Sequence, residues 1–107
     1  MGFLRRMKQD LRAGWATLRH GTARAASRAL EEAELLRLRL ELRKVDEQLA
    51  DLYRDLGERA VTLHDKGEPP DRVVADAEVL RRMDQVRMLT NSRAKLLSEM
   101  EDVRRAD

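Results

Sequence analysis

Few side chains in this 107-residue sequence are equipped for catalysis. His64 stands beside Asp65, and a carboxylate next to an imidazole is the simplest general acid–base pair. The chain has no cysteine, however, and no serine, threonine or lysine whose spacing from His64 marks it as a nucleophile. A histidine in the basic last turn of a helix is adequately explained by the helix dipole. Glu31, Glu32 and Glu34 could offer oxygens to a hard cation, but acids at helical spacing usually form a solvated face. His20 is isolated, and Tyr53 falls at the rim of a helical seam. The expectation is a non-enzymatic protein with no metal and no cofactor.

The remaining residues build long helices. Leu, Ala, Glu and Arg dominate, all good helix formers, and 39% of the chain is charged. The two prolines, Pro69 and Pro70, are adjacent. No apolar run approaches the ~18 residues of a membrane span. Phe3-Leu4 is cut off by Arg5-Arg6, so no secretory leader is expected. Met1-Gly2 opens like a myristoylation site, but Arg6 stands where Ser or Thr is required. Charge is unevenly spread. Residues 1–30 carry seven basic side chains and one acid, a net +6, whereas residues 31–107 carry fifteen basic and nineteen acidic ones.

Residues 1–21 read as a basic amphipathic helix. Phe3, Leu4, Met7, Leu11, Trp15 and Leu18 fall within an arc of about 120°, flanked by Arg5, Lys8, Arg12 and Arg19. Gly14 and Gly21 weaken that helix by about 1 kcal/mol each relative to Ala. Gly21 either bends it or lets it run on through Thr22, Ala25 and Ala29. Residues 22–107 read as a helical hairpin with its turn at 67–70. In the first arm Leu35, Leu38, Leu42, Val45, Leu49, Leu52 and Leu56 alternate in steps of three and four, a heptad seam. Lys66-Gly67 ends it with a basic last turn and a C′ glycine, and Asp71 offers an N-cap for the return helix. The second seam is rougher: Ala75, Val79, Met83, Val86, Leu89, Leu96 or Leu97, Met100 and Val103, interrupted by Arg93. Each arm spans roughly 50 Å. The fold class is therefore all-α: a long antiparallel coiled-coil hairpin preceded by an amphipathic helix.

Antiparallel pairing from the turn sets residue 105 opposite about residue 32, so residues 1–30 have no partner within the hairpin. Continued along a helix, the N-terminal stripe passes through Ala29, Ala33, Leu36 and Leu40, roughly 150° around from Leu38 and Leu42. An apolar face without an internal partner marks an interaction site. A two-helix hairpin is also marginal alone, and Leu36, Leu40, Leu80 and Met88 lie off its seam. The seam residues are thus expected to serve both the hairpin and a homo-oligomer, most simply a dimeric four-helix bundle.

The N-terminal helix suits two targets. Its bulky apolar arc with cationic edges fits an anionic membrane surface, where long basic side chains reach the head groups. The same arc fits a groove on a protein assembly. Nucleic acid is not expected: the cations flank an apolar arc, and one Trp, one Phe and one Tyr make no stacking platform. The expected setting is cytoplasmic, peripheral to the inner face of the membrane.

The order Met1-Gly2-Phe3-Leu4-Arg5-Arg6-Met7, an amphipathic helix and then a coiled-coil hairpin, resembles the start of the phage-shock-protein-A family, the bacterial ESCRT-III-like membrane-remodelling proteins. The resemblance implies that Phe3, Leu4, Met7, Leu11, Trp15 and Leu18 form a membrane face and that the hairpin polymerises. This hairpin is shorter than the family's, and Gly21-Thr22 stands where the family has a proline.

Overall fold

The computed structural model describes residues 2–106, with the side chains of Phe3 and of residues 9–20 left outside the description. The described residues form three helices: α1, Gly2–Asp65; α2, Pro70–Val74; and α3, Ala77–Arg105. No strand occurs among the described residues. The chain divides into two compact units, Met1–Leu35 and Leu36–Asp107. Helical backbone continues through Gly21 without a break.

In the first unit the backbone is helical from Gly2 onward, and every residue from Gly21 to Leu30 is exposed. Glu31, Glu34 and Leu35 are half-buried.

The second unit is an antiparallel hairpin of α1 and α3. Its α1 seam is Leu38, Leu42, Val45, Leu49, Leu52, Leu56, Arg59 and Leu63, all buried or half-buried, in unbroken steps of four and three. Leu38 is fully buried. The α3 seam is Val79, Arg82, Val86, Leu89, Arg93, Leu96, Met100 and Val103, with the same alternation. Met83, expected in this seam, is instead 44% exposed. Counting three from Val79 reaches Arg82, and Arg82 occupies the position. Its aliphatic stem can cover apolar surface while its guanidinium reaches outward.

Arginines thus stand at three seam positions, and each faces an acid on, or at the cap of, the opposite helix. Arg59 meets Asp76 at 3.1 Å, Arg82 meets Asp55 at 3.7 Å and Arg93 meets Asp46 at 2.8 Å. As the α1 number falls the α3 number rises, which is the antiparallel register.

The connection is longer than the expected turn at 67–70. Glu68 N–H donates to the Leu63 carbonyl at 3.1 Å and Gly67 N–H to the His64 carbonyl at 2.9 Å, a Schellman closure of α1. It requires the left-handed backbone that Gly67 adopts at φ +84°. Pro70 then opens α2 at a position where its missing N–H is harmless. Asp76, and not Asp71, caps α3: its Oδ2 accepts the Val79 N–H at 3.2 Å. Arg59 holds the same carboxylate from across the hairpin, whereas Asp71 lies within α2.

Candidate binding surfaces

In the N-terminal segment Leu4 is 65% exposed and Met7 47% exposed, three residues apart on one helical face. Arg5, Arg6 and Lys8 are exposed beside them. The expected contributions of Phe3, Leu11, Arg12, Trp15, Leu18 and Arg19 lie outside the described side chains.

On the hairpin unit, Leu36, Leu40, Leu80 and Met88 are all exposed, so these off-seam residues find no cover within the unit. One flank carries an open groove of about 420 Å³ lined by Gln48, Asp51, Leu52, Asp55, Gln85, Met88 and Leu89. Leu52 and Leu89 are half-buried seam residues, whereas Met88 is 70% exposed. Further along α1, the groove that includes Val45 and Leu96 is bordered by Arg37, Glu41, Lys44, Lys95 and Glu99. Arg37 and Glu41 pair there at 2.6 Å.

The turn end of the hairpin holds a chain of charges. Arg59 reaches both Asp76 and Glu78, the latter at 3.5 Å, and Arg82 reaches Glu78 at 3.4 Å as well as Asp55. The hydrogen bonds from Arg59 hold the Asp76 carboxyl below the usual carboxylate range, against a smaller opposing effect of burial, with help from the Val79 N–H. The same hydrogen bonding raises the Arg59 guanidinium. This chain of charges joins the two helices.

His64 is exposed at the end of α1, and Tyr53 is exposed beside the seam. Among the described residues no group of His, Asp or Glu is arranged to hold a metal ion, and no helix is long and apolar enough to cross a membrane. The seam reading from sequence missed Arg82 and treated Arg93 as an interruption. Strict three–four counting from Val79 through Met100 is the signal that finds both. No family model, curated protein or solved structure matches the chain.

Proposed function

We propose that this chain is a non-enzymatic, self-associating coiled-coil protein that binds an anionic membrane surface, on the cytoplasmic side, through its N-terminal amphipathic helix. The observation that carries the reading is the exposure of Leu4 and Met7 next to exposed Arg5, Arg6 and Lys8. Apolar side chains at that spacing can enter the acyl boundary while the cations meet lipid phosphates. Each basic residue near such a surface contributes about 1 kcal/mol. Self-association is supported by the exposed Leu36, Leu40, Leu80 and Met88 on a hairpin of only two long helices.

Liposome flotation of the full chain, with neutral and with anionic vesicles, tests the membrane reading. Flotation with anionic lipid alone, abolished by Phe3→Glu with Trp15→Glu and by removal of residues 1–20, is the expected result. Failure to float with either lipid overturns it. The helix then belongs to a protein assembly, the reading that the same apolar face supports next.

A further inference from the structure

The groove beside Leu52, Met88 and Leu89 has the chemistry of a receptor for a basic amphipathic helix. Its base is apolar and Met88 projects from its lip. Methionine side chains of this kind adapt to varied apolar partners. Asp51 and Asp55 edge the groove on the α1 side. Glu58 lies two turns from Asp51 on the same helical face. The cations nearest these acids, Arg54 at Asp51 and Arg82 at Asp55, stand at 3.7 Å in each case. Asp51 and Arg54 are both well exposed, and such a pair is weak, whereas Asp55 is half-buried and shared with Arg82 of the seam.

The chain itself carries the complementary element. Residues 1–30 have a net +6, and Leu4 and Met7 are exposed with Arg5 and Lys8 along one flank of the same helical face. Leu4, Met7 and Leu11 span two helical turns, about 10 Å, and so does α1 from Gln48 to Asp55 along the groove. A third helix laid there would cover apolar surface that a two-helix hairpin leaves to water.

We propose that this groove receives the N-terminal helix of a second copy of the chain. Leu4 and Met7 pack against Leu52, Met88 and Leu89, and Arg5 and Lys8 face Asp51 and Asp55. The proposal rests on the self-association part of the function above and not on its membrane part. One helix then has two alternative partners, and a membrane surface competes with assembly in solution.

The test uses the full chain without lipid. Trp15 is the only tryptophan and reports on the N-terminal helix. With rising concentration its emission should shift to shorter wavelength while light scattering records a rising mass. Met88→Lys, at an exposed position whose helicity circular dichroism checks, should raise the concentration midpoint roughly tenfold or more. Asp51→Arg should weaken association, and Asp51→Arg with Lys8→Glu in one chain should restore it. Association with the midpoint unchanged in Met88→Lys overturns the groove as the receptor and leaves self-association standing. A chain that stays monomeric with constant Trp15 emission overturns both. Flotation reports separately on the membrane.

Discussion

Arg59 grips Asp76 with two parallel hydrogen bonds, Nη2 to Oδ1 at 3.1 Å and Nε to Oδ2 at 3.2 Å, and that carboxylate also caps α3. One side chain therefore closes the hairpin and starts its second long helix. Because the folded state lowers the Asp76 pKa, its contribution is present in full above the unfolded value of about 3.8 and is lost as pH falls through the lower folded value. Asp76→Asn retains a capping side chain but removes the charge. It should unfold at lower denaturant than wild type at neutral pH, and the gap should close in strong acid. Urea titrations across the acid range measure this. A gap that stays constant would remove the ion pair from the account.

Leu38 is fully buried, whereas Leu36 and Leu40, two residues to either side, are exposed. Leu38→Ala should destabilise the chain by about 2–5 kcal/mol. Leu36→Ala and Leu40→Ala should stay within about 0.5 kcal/mol at concentrations where the chain is monomeric. Denaturation of the three variants side by side gives the comparison.

Gly67→Ala should cost about 1–2 kcal/mol. A Cβ built at Gly67 meets no atom within 4 Å, so the cost lies in the left-handed backbone and not in a clash. The expected signature is a lower melting temperature with unchanged helical content at low temperature.

The Arg93–Asp46 pair is short at 2.8 Å but nearly half exposed on both sides. A double-mutant cycle with Arg93→Ala and Asp46→Ala should return a coupling of only about 0.2–1 kcal/mol, shrinking with added salt. Arg93→Leu should make the seam continuously apolar beside Leu89 and Leu96. It should raise thermal stability and broaden the distribution of oligomers, because the charge no longer selects one pairing. Sedimentation velocity at several concentrations reads the distribution.

The hairpin is legible in the sequence because its apolar residues obey one rule. From Leu38 to Leu56 every step of three or four lands on Leu or Val, and Lys66-Gly67 marks where the α1 helix must close. The α3 seam is less legible for a physical reason. Arginine counts as polar in any hydropathy pattern, yet its stem packs like a hydrocarbon, so Arg82 hides a seam position and Met83 imitates one. Asp71 and Asp76 are equally good capping residues by type, so the local pattern does not choose between them. Asp71 falls inside the short helix α2, whereas Asp76 precedes α3 and is held by Arg59, a contact between helices which no local pattern contains. The N-terminal face is legible as an amphipathic arc, but an arc specifies the chemistry of a partner and not its identity.

The ladder of arginine–acid pairs also implies an order of assembly. Arg59 and Asp76 are separated by 17 residues, and Arg93 and Asp46 by 47. Closing the longer loop directly costs only about 1 kcal/mol more in chain entropy. Once the inner pair has formed, the outer one needs almost no further search. The hairpin should therefore zip from the turn towards its open end. Substitutions around Arg59 and Asp76 should chiefly slow folding, and those around Leu38 and Met100 should chiefly speed unfolding. The open end, where Leu38 and Met100 complete the core, is then the last part to form and the first to let go.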